Sequence, residues 1–192
     1  MIDNKVGCSE KIAASVISSS KSTDGLFAHG TFIFKCYDKD GNLKWEDKAD
    51  NLVVKEGAQY MNDTFFTGST YTAAWYLGLI TGPGSGTVIS GDDTLAIHAG
   101  WTEYTDYSGN RVAATFGAAT LADPSVIATS AASQFSITGA GGTVAGAFLT
   151  DVNTGTSGIL FSASDFQAPG DRVVVSGDTL NVSYQFSLDQ TP

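Results

Sequence analysis

The amino-acid sequence predicts an all-β domain, an antiparallel β-sandwich or jelly-roll-like barrel with one short helix and an N-terminal arm. Three observations carry that reading. Beyond residue 68, short apolar stretches are separated by Gly-Pro-Gly, Ser-Gly-Asn, Gly-Ala-Gly-Gly, Asn-Thr-Gly and Ser-Gly-Asp-Thr turn signals, the punctuation of antiparallel sheets. The last stretch, TLNVSYQFSL, alternates Leu180, Val182, Tyr184, Phe186 and Leu188 with mostly polar neighbours, so one face should be buried and the other exposed. Only one substantial helical pattern stands in the main domain, with Val54, Ala58, Met61 and Phe65 at steps of four, three and four.

Taken in order, residues 1–24 are rich in Ser and Lys and poor in aromatics, and the composition changes sharply at Gly25-Leu26-Phe27. This segment reads as an extended or mobile arm before a sandwich domain spanning 25–192. A short helix over residues 10–18 is the alternative, because Ile12, Val16 and Ile17 have helical spacing. Phe32, Phe34 and Cys36 then alternate with Ile33, Lys35 and Tyr37, and Asp40-Gly41 precedes Asn42-Leu43-Lys44-Trp45, the signature of a β-hairpin. After the helical stretch, strands are expected over 73–80, 111–116, 125–138, 143–150, 158–162, 172–175 and 179–188. The glycine-rich stretch 81–93 is expected to be an exposed loop. No solenoid-length repeat or Pro-rich linker divides the chain.

The totals bound the function. Of 192 residues, 42% are hydrophobic and 11% aromatic, enough apolar surface to offset ordering entropy and form a core. Twenty acidic against ten basic side chains give a formal charge of −10, which repels a phosphate backbone and disfavours nucleic acid as a partner. With only 16% charged residues and 22 glycines, much of the surface must be small side chains, which suits close protein contact. Cys8 and Cys36 sit in unlike settings and are expected to be free thiols, as in a reducing cytosol. The N-terminal residues lack an uninterrupted apolar run and no stretch is long enough to span a bilayer, so the expectation is a soluble, unprocessed protein with no membrane partner.

Clusters with chemical potential each have a plain structural reading. Asp92, Asp93, His98, Trp101, Glu103, Tyr104, Asp106 and Tyr107 form the densest group; His98 with Glu103 could serve as acid and base, and Asp92 with Asp93 could ligate a cation. The acids, however, occupy turn-favouring contexts that also suit caps and Asx-turns. The DKDGN run at 38–42 has its Gly fourth and lacks the terminal Glu of a calcium loop, so a hairpin turn is favoured. His29 has no metal-spaced partner and reads as a surface or interface residue. No G-x-S-x-G elbow or P-loop is present. The expectation is therefore a protein that is not an enzyme, with no catalytic residues, metal or cofactor. Trp45, Trp75 and Trp101 with Tyr71, Tyr76 and Tyr104 could line a carbohydrate surface, although large aromatics in a sandwich more often serve the core or an interface. The candidate interface residues are His29, Trp75, Asp92, His98, Trp101, Glu103 and Tyr104.

Five segments in order, CYDKDGNLKWEDKADNLVVKEGAQYMND, WYLGLI, DDTLAIHAGWTEYTDYSGNRVAATFGAA, ASQFSITGAGGTVAGAFLT and VVVSGDTLNVSYQFSL, resemble a family of structural proteins encoded among the virion genes of tailed bacteriophages. The resemblance runs from about Thr31 to the C terminus and leaves out residues 1–24. It implies a cement, or decoration, protein that binds the outside of the capsid and stabilises the head, assembled in the bacterial cytoplasm. Its implied partners are the major capsid protein and further copies of itself, as a dimer or trimer. A tail-associated or fibre module that binds a glycan receptor is the alternative. The resemblance brings no catalytic residues.

Overall fold

A computed structural model describes residues 25–69, 71, 74–82, 86–166 and 170–189. In chain order these residues form β1 (Phe27–Tyr37), β2 (Leu43–Val53), α1 (Lys55–Asn62), β3 (Tyr76–Thr81), β4 (Thr102–Tyr104), β5 (Val112–Ala113), β6 (Ser125–Ala128), β7 (Ser133–Ser136), β8 (Gly142–Val144), β9 (Gly146–Thr150), β10 (Leu160–Asp165), β11 (Arg172–Val174) and β12 (Thr179–Asp189). The fold is all-β and antiparallel, with one short helix. The N-terminal arm, the helix over 10–18 and Cys8 lie outside the described residues.

Period-two alternation builds the central strands. β1 buries Phe32, Phe34 and Cys36 completely and pairs with β2 along one edge and β12 along the other. The intervening turn uses the acid that a calcium loop would have needed. Asp38 Oδ1 accepts the amide N–H groups of Asp40 and Asn42 at 2.9 and 2.8 Å, and Gly41 takes the positive φ of 83° that such a turn requires. The Asn42 side-chain amide also donates to Asp38 Oδ2 at 3.0 Å, and this bond first, then the backbone amides, holds the Asp38 carboxyl below its ordinary pKa.

β2 is the strand on which the sheet turns a corner. Its first part pairs with β1, whereas Asn51, Leu52 and Val53 pair with β10. The strand path β4-β3-β9-β10-β2-β1-β12-β6 thus folds into two facing halves, with β5 added to β3 and β7 to β12. Between the halves lies the main core, including Phe32 and Phe34 from β1, Leu77 and Leu79 from β3, Phe135 from β7, Leu149 from β9 and Leu180, Val182 and Tyr184 from β12. Each such large side chain stabilises the fold by roughly 1.5–3 kcal/mol.

Several predicted strands are broken where the sandwich needs to bend. The stretch 125–138 splits into β6 and β7. Four residues lie between Ala128 and Ser133 on this strand against two between their partners Gln185 and Val182 on β12, so two are extra. Likewise 143–150 divides at Ala145, because β8 leaves to pair with β11 in a separate ribbon while β9 remains in the main sheet. Only Val112 and Ala113 of 111–116 are in a strand, and β4 is a strand that periodicity did not show. The 158–162 strand lies further along the chain, at 160–165.

The helix also departs from its expected register. α1 packs so closely on β10 that a Cβ at Gly57 would overlap the Phe161 carbonyl. Beyond Asn62 the helix widens into a π-helical turn, Asp63–Thr67, closed by Gly68 with φ 69°. The wider turn rotates Phe65 and Phe66 outward, 80% and 77% exposed, instead of continuing the buried face from Met61.

Candidate functional site

Two tryptophans at either side of the same half-sheet behave in opposite ways. Trp101 is 2% exposed. It packs with Ile80, Leu95, Phe148 and Leu160 on the outer face of β3, β9 and β10, away from the main core. Its indole Nε1–H donates to Asp93 Oδ2 at 2.9 Å, and the same oxygen accepts the Ser90 amide at 3.0 Å. His98 stacks on the indole with ring centroids 3.7 Å apart and planes at 12°. Its Nδ1 lies 2.9 Å from the Trp101 carbonyl, an acceptor, so this nitrogen must carry the proton. Glu56 of α1 anchors the loop from below, its Oε2 accepting the amides of Leu95 and Leu160 at 3.3 and 2.8 Å.

The acids of the cluster are equally committed. Glu103 makes a two-pronged pair with Arg111, Nε to Oε1 at 2.8 Å and Nη2 to Oε2 at 2.7 Å. Arg111 also donates to the Val152 carbonyl and lies over the Phe148 ring. Asp92 pairs with Lys55 at an exposed position, where such a pair contributes little. Tyr104 is buried in the main core, and burial, then the charges of Asp106 and Asp178, raise its pKa. Trp101 and Tyr104 are therefore internal and offer no surface to a partner, a correction to their candidacy as contacts. His98 and Glu103 are each held by a different partner rather than poised as an acid–base pair. The loop expected to be exposed, 81–93, is in part a cover: among its described residues Thr87 and Asp93 are buried while Val88 faces solvent, and just beyond it Leu95 is buried and Ile97 exposed. His29 is exposed near the start of β1, opposite Ser187 on β12.

Trp75 lies at the open end of the sandwich, half-buried, just before β3. Its ring meets Phe161 edge-on at 5.4 Å and Tyr60 at 5.9 Å, and its Nε1–H reaches the Tyr71 hydroxyl at 3.4 Å. On one side the cleft continues past Tyr71 to Phe116, Ile127 and Phe186, with Tyr184 as its floor. On the other it runs under Tyr60, Met61 and Phe65. Tyr184 is itself fully inside, its hydroxyl accepting from Asn51 Nδ2 at 2.7 Å and facing Ser162 Oγ at 3.3 Å. The rim carries Phe65, Phe66 and Tyr71, the last 54% exposed. The result is a cleft of aromatic rings with few polar groups, suited to gripping an apolar side chain or the face of a sugar.

The sequence singled out Trp75 and Tyr71 at this place and missed Phe65, Phe66, Phe116, Phe161 and Phe186. The adjacent Phe65-Phe66 pair, two large aromatics in succession at the end of a short helix, is the one local signal. Among the described residues no group of three or more His, Cys, Asp and Glu side chains converges on a metal-sized site. Among them, too, no helix is long and apolar enough to cross a membrane. No family model, curated protein or solved structure matches the chain.

Proposed function

We propose that this chain is a decoration protein of a tailed-phage head, binding the outer surface of the major capsid protein as a homo-oligomer. The observation that carries the reading is the exposed aromatic end of the sandwich. Contiguous apolar groups such as Phe65, Phe66 and Tyr71, left in water beside an open cleft, mark a surface that is covered in the working assembly. The five-segment resemblance to virion structural proteins supplies the identity of the covering partner. Repetition over the lattice adds affinity, because an oligomer that reaches several equivalent sites gains effective concentration. The charge of −10 keeps the protein from competing for the genome during assembly.

The test is the copy number of the protein in purified virions, relative to the major capsid protein. Abundance within a few-fold of the capsid subunit is expected, and a handful of copies per particle would refute the assignment. The half-open Trp75 beside Tyr71 also favours a second reading, a glycan-binding module of the tail. Under that reading Trp75→Ala abolishes saturable binding on a glycan array. Trp101→Ala is uninformative for this purpose, because Trp101 is part of the fold.

A further inference from the structure

We propose that in the free protein the apolar segment 12–17 of the N-terminal arm docks in the aromatic cleft of its own chain. The inference rests on the reading of this cleft as a surface covered in the working assembly, and it names what covers the cleft before a capsid does. The first support is where the arm is rooted. β1 pairs antiparallel with β12, so Gly30 lies opposite Phe186 and Ala28 opposite Leu188. Phe186 in turn meets Phe161 edge-on at 5.6 Å and lines the cleft with Trp75. β2 pairs with β1 only as far as Thr31, so residues 27–30 run on past it at the same end of the sandwich. The described chain begins there, at Gly25, with Leu26 63% exposed.

The second support is chemical. Residues 1–24, outside the described residues, contain an uncharged stretch, IAASVI, that carries three large apolar side chains, Ile12, Val16 and Ile17. The residues lining the cleft around Trp75, among them Phe116, Ile127, Leu149 and Phe186, bring no charge either. Seven residues, SSSKSTD, join this stretch to Gly25. A Ser-rich linker of that length has a root-mean-square span of about 15 Å. The way back along β1 from Leu26 to Gly30, beside Phe186, is four residues at about 3.3 Å each, or ~13 Å. A linker whose span matches the gap gives the highest effective concentration, which favours the chain's own cleft over that of a second copy. Charge does not oppose the return. Lys5, Lys11 and Lys21 balance Asp3, Glu10 and Asp24, so the formal −10 lies entirely on residues 25–192. Docking takes the open rings out of water, the gain that offsets the entropy of ordering the segment.

The experiment is methyl and indole NMR on the isotope-labelled full-length chain. The Ile12 and Ile17 methyls, assigned through Ile12→Val and Ile17→Val, should lie upfield of their unfolded-chain positions because aromatic rings stand over them. They should also show cross-relaxation to Trp75 and Phe161. Ile12→Ser, Val16→Ser and Ile17→Ser together should move the Trp75 indole N–H, while the N–H of the sealed Trp101 stays in place and reports an intact fold. Methyls at unfolded-chain positions in the wild type, or a Trp75 signal indifferent to the triple substitution, would overturn the proposal. So would cross-relaxation found only between labelled and unlabelled copies, which would put the arm in a neighbour's cleft. Copy number in virions tests the capsid assignment and leaves these signals where they are, so either reading can fail alone.

Discussion

The two sides of the half-sheet formed by β3, β9 and β10 carry the same residue type to opposite ends. Trp101 arrives on a loop that brings its own hydrogen-bond acceptor, Asp93, and its own stacking partner, His98. Every polar atom of that indole is satisfied while the ring is sealed against Phe148. Trp75 has only a long bond to Tyr71, itself exposed, and no segment among the described residues lies over it. A ring is sealed when the chain supplies both cover and a partner for its N–H. When it supplies neither, the ring is left for something else to cover.

The sharpest way to break this comparison is to remove each ring. Trp101→Ala empties a fully packed site and leaves Asp93 buried without its donor, so a loss of about 3–5 kcal/mol is expected in urea unfolding. Trp75→Ala removes a half-buried ring whose cleft already opens to water, and the loss should be less than half as large. Equal losses would show that the cleft is a core feature and not a docking surface.

A second measurement probes the sealed interior through its only described thiol. Cys36 is fully buried beside Asp178, its Sγ 3.8 Å from Asp178 Oδ2, while Lys44 pairs with the same carboxylate from outside. Burial, then the charge of Asp178, push the thiol from 9.0 up to about 11. The unfolded chain therefore gives up this proton before the folded one does. The thiol's contribution to stability is complete below pH 9 and is lost as pH rises toward about 11, on the order of 2–3 kcal/mol in all. Comparing the pH dependence of unfolding in wild type and Cys36→Ala isolates this slope from the tyrosines. Identical slopes would mean that the thiol reaches solvent before the chain unfolds.

These contrasts explain which parts of the molecule could be read from the sequence. β1 and β12 were legible because each keeps one face in the core along much of its length, so alternation survives in Phe32-Phe34-Cys36 and Leu180-Val182-Tyr184, and β2 followed from the Asp40-Gly41 turn that pairs it with β1. The breaks at residues 129–132 and at Ala145 were not, because each depends on which partner the next residues pair with. The loop at 81–93 read as exposed from its glycines, but Thr87 and Asp93 within it are buried, and just beyond it Leu95 and Trp101 cover a second apolar face on the outside of the sheet. Period two cannot show that face where β9 is buried on both sides. The aromatic cleft draws Tyr60, Trp75, Phe116, Phe161 and Phe186 from separate segments, and no local pattern links them.

The smallest effect on stability should fall at the rim of the cleft, and that makes it the cleanest separation of folding from function. Phe65 and Phe66 touch each other, edge to face at 4.9 Å, and otherwise project into solvent. Replacing either with Ser removes little buried surface, so unfolding should change by no more than about 0.5 kcal/mol. If the rim is covered on the capsid, each ring buries something like 150–250 Å² there, and its loss should weaken attachment by at least about tenfold. The measurement is occupancy of capsids lacking the protein after incubation with wild type, Phe65→Ser or Phe66→Ser at matched concentration. Loss of occupancy with unchanged stability would place the contact at the open end. Full occupancy by both variants would remove the aromatic rim from the interface and transfer the contact to other exposed groups, of which Leu121 and Ile97 are the largest apolar ones.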